Sequence, residues 1–324
     1  MLIGRVLRAL VAGDKRADTI GAAEAPDARP AEPRPAVPAA PAALPYRGYF
    51  INLDRSEQRR RDIETQLQRL GLAGFYERFA AVDGRSLEPG TFKGRRIAGE
   101  AGCFHSHLRV LEAGRRHGTH VHVIEDDVVL GRSLATTLAS VIDRGLLARY
   151  DLVYTDTLVP FKPGLIRQYL RMCEQSASAA DRVQLVNLRG SFISCHASYL
   201  VNRESLEKVI ALLAGHARDG ISLPVDLLVR NLVNDGVLNA AVTLPFLTAV
   251  RLDQTLATTI QGEYEAAVSV MLHNLLRNQF FVDRDDAEFE RYFGEYVAGL
   301  ELGQATRNIA RLSAFFLSGE HRDF

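Results

Sequence analysis

From Tyr46 onward, short apolar runs alternate with stretches whose apolar residues recur every three or four positions. A run of four to eight apolar residues ending at a turn predicts a buried strand, and the wider spacing predicts a helix with one face on a core. Tyr49–Leu53 is the first strand on this reading, ending at Asp54. Ser56 then stands where a helix N-cap belongs, Ile63, Leu67 and Leu70 form the apolar face, and Gly71 closes the helix. Phe75–Val82 predicts a second strand, stopped by the turn dipeptide Asp83-Gly84. Glu100–His117 predicts a helix with Cys103, His107, Leu108 and Leu111 on one face. His120–Ile124 predicts a strand running into Glu125-Asp126-Asp127, and Ser133–Arg144 another helix. Strands are expected at Asp151–Thr155, Phe192–Val201 and Val237–Leu244, with helices at Glu204–Leu213 and Val225–Val233. Such alternation predicts an α/β domain, a Rossmann-like, mainly parallel sheet with helices on both faces.

The two ends break this rhythm. Seven of the twelve prolines fall between Gly21 and Pro45, with alanine filling most of the remainder. That composition cannot bury a core, so residues 1–45 are expected to form an extended, solvated segment and the folded domain to span 46–262. Beyond Glu263 the spacing of Ala266, Val270, Leu272, Leu275 and Leu276, then Phe289, Tyr292, Tyr296 and Ile309, predicts a helical extension over 263–324. It would serve as a small subdomain or as the interface of a homodimer. At the amino terminus, Leu2, Ile3, Val6, Leu7, Leu10 and Val11 are interleaved with Arg5 and Arg8. The uninterrupted apolar run there is shorter than the ~7–15 residues of a secretory core, and none in the chain approaches the ~20 that span a bilayer. A frayed terminus or a weak interfacial helix remains.

Composition narrows the function classes. The chain has 324 residues, 47% hydrophobic and 24% charged, enough for one large domain or two small ones. Thirty-nine basic and thirty-nine acidic residues cancel, which argues against a bulk electrostatic grip on nucleic acid. Cys103, Cys173 and Cys195 cannot all pair with one another and lack metal-ligand spacing, which suits a reducing, cytoplasmic setting.

In an open α/β sheet, ligands bind at the carboxyl ends of strands. Three polar clusters fall at such ends: Asn52-Leu53-Asp54, Val82-Asp83-Gly84 and Glu125-Asp126-Asp127. The acidic triplet follows Val123-Ile124 and precedes Val128-Val129-Leu130, so its carboxylates repel one another and are costly to desolvate. Hard Mg²⁺ or Mn²⁺ relieves that cost, usually with one or two carboxylates plus a substrate's phosphates. Alone, the triplet also fits a solvated turn, or Asp126 capping the next helix. A third reading is the acidic pocket of a phospho-acceptor receiver domain, though that wants the pair after the first strand and a later Asp and Lys. Arg55, Arg59, Arg60 and Arg61 open the first helix, where cations oppose its dipole; a phosphate contact explains one or two of them, and a solvated basic face the others. His120 and His122 share a strand face, a pair that would need a third ligand to hold zinc. His107, between Cys103 and Leu111, reads as a buried core histidine or as a group behind a nucleotide site.

Several blocks, in order, resemble the glycosyltransferases of family 25, the lipooligosaccharide-type galactosyltransferases and their collagen-modifying relatives. Tyr49-Phe-Ile-Asn-Leu-Asp-Arg-Ser-Glu-Gln-Arg-Arg60 with Phe79-Ala-Ala-Val-Asp-Gly84 is similar to the family's opening. Gly99-Glu-Ala-Gly-Cys-Phe-His-Ser-His-Leu108 resembles its Gly-Glu-x-Gly-Cys-x-x-Ser-His block, and Ile124-Glu-Asp-Asp-Val128 its acidic motif. Ser198-Tyr-Leu-Val201, Pro224-Val-Asp226 and the stretch from Leu244-Pro-Phe246 to Gln254 and Ile260 follow. His105 and Ser198, where the family often has Ala, depart from the pattern.

The resemblance covers about residues 47 to 262 and implies a GT-A-type nucleotide-diphosphosugar transferase fold. It implies a UDP-hexose donor (most often UDP-galactose), a saccharide acceptor, inversion to a β-linkage, and Mn²⁺ or Mg²⁺ held by Glu125, Asp126 and Asp127. With it, Asn52, Asp54, Asp83 and Gly84 are expected to hold the nucleoside and Arg59 a phosphate. Ser106 and His107 are expected nearby. Asp226 is the candidate base and Asp156 the reserve. A glycan or lipid-linked acceptor would bring the protein to the inner face of the cell membrane, with the amphipathic head assisting. A catalytically silent nucleotide-sugar-binding module is the competing reading, and a receiver-like phospho-switch the third.

Overall fold

The computed structural model describes residues 43–285, apart from 89–90, 92, 94–97, 161, 178–182, 193, 252–272 and 275. The expected proline-rich segment up to residue 42, and the helical extension except for 273–274 and 276–285, lie outside the described residues. The elements below belong to one compact unit, Val37–Arg284.

In chain order these are β1 (Tyr46–Asn52), α1 (Glu57–Arg69), β2 (Tyr76–Ala80), α2 (Ala98–Arg115), β3 (His120–Glu125), β4 (Val128–Leu130), α3 (Leu134–Asp143) and β5 (Leu152–Tyr154). They continue with α4 (Pro163–Ala177), β6 (Gln184–Asn187), β7 (Ser198–Val201), α5 (Leu206–Arg218), α6 (Val225–Asn234), β8 (Ala240–Leu244) and β9 (Thr248–Val250). Seven strands form one sheet in the order β2-β1-β3-β7-β5-β8-β6. Five run in one direction; β7 and β6 run against them. The alternating pattern thus delivers a mainly parallel sheet, but a fully buried strand such as β7 carries no sequence mark of its direction. β4 and β9 make a separate two-stranded ribbon directly after the acidic triplet.

Helices cover both faces. Tyr46, Phe50, Ile124, Val153 and Leu200 point to one side, where Ile63 and Leu67 of α1 and Leu134 and Leu138 of α3 meet them. Ile63 and Leu67 are 0% and 2% exposed; each such burial stabilises by roughly 1.5–3 kcal/mol. On the other side Gly114 of α2 sits against Val121 and Tyr49, so closely that a Cβ there would come within 2.7 Å of Val121. Ser56 does stand at the N-cap of α1, but its hydroxyl caps nothing; the Asn52 amide donates to its carbonyl instead, at 3.1 Å.

Two features position the site. Residues 82–86 are clipped to α2: Ser106 Oγ accepts from Val82 N at 2.8 Å and donates to Gly102 O at 2.7 Å. Gly102 lies so near that a Cβ on it would stand 2.6 Å from both Gly84 N and Val82 O. In addition, the short helical stretch around 276–279 is followed by Phe280, whose ring meets Phe246 and Tyr169 edge-on at 5.6 and 5.7 Å. That part of the sequence therefore packs against the β8–β9 connection.

Gly102→Ala should destabilise the fold by about 1–3 kcal/mol, because backbone rather than a flexible side chain meets the new methyl. Urea unfolding checks this, and a midpoint equal to the wild type would show that the loop and helix part freely.

Candidate active site

The acidic triplet stands at the carboxyl end of β3, and neighbouring residues there point in different directions. Glu125 turns toward α2, where His107 Nε2 lies 3.0 Å from its Oε1. His107 is 1% exposed, and its Nδ1 faces Tyr199 Oη at 3.0 Å. Asp126 turns toward β1 and α1: Asn52 Nδ2 donates to it at 2.6 Å and Arg59 Nη1 at 3.4 Å. Asp127 has a single ion pair among the described residues, Arg59 at 3.7 Å.

Electrostatics follows this division. Burial pushes the Glu125 carboxyl up, but the His107 hydrogen bond and charge, with Arg277 and Arg59 behind, outweigh it and hold the group below its ordinary value. Asp126 is raised by burial, partly offset by Asn52 and Arg59. Asp127 goes well above the carboxylate range, first through burial and then through the charge of Glu125, against which Arg59 is insufficient. The site is therefore short of positive charge at Asp127, the condition under which oxygen ligands accept a hard divalent cation. Asp127 with Asp126 fits Mg²⁺ or Mn²⁺ on the chemistry of its donors.

The scaffold around the triplet is tightly specified. Glu125 N donates to Ala197 O at 2.7 Å and Arg251 N to Asp127 O at 3.3 Å. Gln66 of α1 brackets β4: its Nε2 donates to Val128 O at 3.0 Å, and its Oε1 accepts from Leu130 N at 2.9 Å. The Asn52 amide is wholly taken up inside the protein, since its Oδ1 accepts from Arg78 Nε at 3.1 Å while Nδ2 serves Ser56 and Asp126. Asn52 is 1% exposed, so its part is to orient Asp126 rather than to face a ligand.

Nearby, Arg78 pairs with the exposed Asp54, and Arg55 and Arg85 both pair with Asp83. The Arg85 hydrogen bonds hold the Asp83 carboxyl down at about 2, with Arg55 adding to the effect. The arginine cluster resolves into distinct roles. Arg60 and Arg61 pair with Glu64 and Glu57 one turn away on the surface, and Arg59 alone turns to the triplet. Ser106 and Gly84 hold the loop to α2 through the contacts of Val82 N, Gly102 and Ala98. His120 accepts from Arg203 N at 3.0 Å, and buried His122 meets Tyr76 Oη at 2.6 Å, so the two do not converge on a metal. Ser198 joins a hydroxyl chain with Thr155, which also meets Thr248 at 2.7 Å.

Asp226 opens α6. Its Oδ1 accepts from Leu227 N at 2.9 Å and its Oδ2 from Cys195 N at 3.4 Å. Cys195 has φ 96°, a left-handed conformation rare for a side chain of its kind, and one of the strained positions that gather at sites. α6, which Asp226 opens, packs against α2, the helix that carries Cys103 and His107. Asp156 is different. It is fully buried and ion-paired with Arg277, itself 3% exposed, an enclosure that suits a structural pair better than proton exchange with an acceptor.

Arg277 is the main residue that sequence reasoning missed. Burial works against its charge, but Asp156 and the nearby acids overcome this and hold it firmly protonated. Asp156 Oδ1 and Arg277 Nε have no hydrogen-bond partner among the described residues. A signal did exist: an arginine among Leu276, Phe280 and Phe281 must either leave the apolar face or find a buried acid. Gln66 gave none, since a glutamine at a helix surface position is ordinary.

Among known proteins, a family model described as Glycosyltransferase family 25 (LPS biosynthesis protein) matches residues 46–229, more than half of the chain. No curated protein matches.

Arg277→Met should cost about 3–5 kcal/mol by leaving Asp156 charged and unpaired. The double variant Asp156→Asn/Arg277→Met should recover much of that loss in thermal or urea unfolding. Equal destabilisation of single and double variants would show that the pair is not coupled as described.

Proposed function

The chain belongs to glycosyltransferase family 25, and from that premise we propose that it transfers a hexose, galactose foremost, from a UDP-sugar to a saccharide acceptor. The acceptor would be part of a lipopolysaccharide or another cell-surface glycan, and the anomeric carbon would invert. What supports the reading most is the family match over residues 46–229, together with Asp126 and Asp127 facing Arg59 just past the carboxyl end of β3. The architecture supports a GT-A-type arrangement.

In this mechanism Asp127, with Asp126, would hold Mn²⁺ or Mg²⁺, and Glu125 would contribute chiefly through its negative charge. Such a cation would supply positive charge to offset the negative charge that gathers on the diphosphate as UDP departs. Arg59, within reach of both aspartates and 26% exposed on its side chain, turns toward the same diphosphate. Asp54 and Asp83, at the ends of β1 and β2, receive the nucleoside's hydroxyls. Asp226 takes the proton from the acceptor hydroxyl as its oxygen bonds to the anomeric carbon and the bond to UDP breaks on the far side. No helix among the described residues is long and apolar enough to cross a membrane. For a lipid-linked acceptor the protein would work at the inner face of the cell membrane by peripheral contact.

UDP release measured across sugar donors, with and without Mn²⁺, tests the reading. Asp127→Asn should lower metal-dependent transfer by about 100-fold or more while the protein stays folded. Near wild-type transfer by that variant would remove the cation from Asp127. For Asp226→Asn, donor affinity should hold while turnover falls about 10²–10⁴-fold; unchanged turnover would assign the base elsewhere.

A further inference from the structure

The triplet splits across the sheet, and the carboxylate that turns away from Asp127 meets a different set of ligand atoms. Cys103 and His107 lie one turn apart on α2, so their side chains share a face, and that face looks onto Glu125 at the end of β3. Cys103 Sγ, His107 Nε2 and a Glu125 oxygen all lie within 4.8 Å of one another. Nε2 is 3.0 Å and Sγ 3.9 Å from the same Oε1.

We propose that Cys103, His107 and Glu125 form a binding site for a thiophilic divalent cation of the Zn²⁺ class, distinct from the hard-cation site at Asp127. Three observations carry this. The donor set is sulfur, imidazole nitrogen and one carboxylate oxygen, which selects Zn²⁺ over Mg²⁺ or Mn²⁺, whereas Asp126 and Asp127 offer oxygen alone. The imidazole is already oriented, because Tyr199 Oη sits 3.0 Å from Nδ1 and leaves Nε2 aimed at the other two ligands, the outer support that metal-bound histidines have. The Glu125 side chain is 31% exposed, which leaves a side open for entry and for a water as fourth ligand. Binding replaces the His107–Glu125 hydrogen bond with two metal bonds and releases two protons to solvent, the one shared in that hydrogen bond and the one on the Cys103 thiol. Among the described residues this is the one cluster of three such ligands.

The test uses the full chain, stripped with chelator and titrated with Co²⁺ as a coloured substitute for Zn²⁺. One equivalent should produce a near-ultraviolet thiolate-to-cobalt charge-transfer band that Zn²⁺ abolishes and Mg²⁺ does not. Cys103→Ser should lose the band. If that variant does not fold, as judged by circular dichroism, His107→Gln should bind Co²⁺ at least about tenfold more weakly than the wild type. Asp127→Asn should keep the thiolate-to-cobalt band, so a failure of the donor-site cation and a failure of this one are told apart. No band in the wild type, a band that survives Cys103→Ser, or wild-type affinity in His107→Gln would overturn the proposal.

Discussion

Three consecutive carboxylates at the mouth of a buried strand cannot share one environment: each must find its own donors or positive charge, or take up a proton. The rest of the site is arranged around that constraint. Strand geometry sends Glu125 to the α2 side, where His107 receives it, and the turn after β3 sends Asp126 toward β1 and α1, where Asn52 and Arg59 meet it. Asp127 is left with a distant arginine and the repulsion of its neighbour. A group so placed is costly in the free protein and gains most from an incoming cation. The same division that creates the deficit at Asp127 gives Glu125 a separate company of softer ligands.

Holding three charges in three directions demands a rigid frame, and much of the surrounding structure supplies it. Gln66 fastens α1 to β4 through two backbone hydrogen bonds, while Asn52 is itself locked by Arg78. Gly84 and Gly102 let a loop and a helix touch at backbone distance, which fixes the loop carrying Asp83 against α2, while pairing of Ala80 with Asn52 sets the end of β2 beside the end of β1. The ion pair between Asp156 and Arg277 ties the segment after β9 to the end of β5. These contacts belong to the protein's interior, yet each fixes the position of a polar group at the strand ends.

Much of this was legible in the sequence where periodicity or a local rule spoke. Ile63 and Leu67, the run His120–Ile124 and the turn at Asp83-Gly84 announced α1, β3 and the loop after β2, because burial on one face leaves a spacing. The direction of β7 did not show, since hydrogen-bond polarity leaves no trace in a run of buried residues. The short strands β4, β6 and β9 and the helix α4 also went unread, and the expected strand over Phe192–Val201 begins only at Ser198. Within the site, the residue types were visible but their partners were not. Nothing in the spacing of Asn52 tells that its amide faces Asp126 rather than a ligand, and nothing local joins Asp156 to a residue more than a hundred positions away. Pairings of that kind are made by the fold, after the sheet has brought the strand ends together.

The most direct test is crystallographic. Crystals grown with UDP and Mn²⁺, measured at a wavelength where manganese scatters anomalously, report the cation and the diphosphate together. A manganese peak coordinated by the Asp127 carboxylate, with the diphosphate between it and Arg59, is the expected result. A diphosphate bound away from the end of β3, with Asp127 turned from it and no metal at its oxygens, would contradict the central claim.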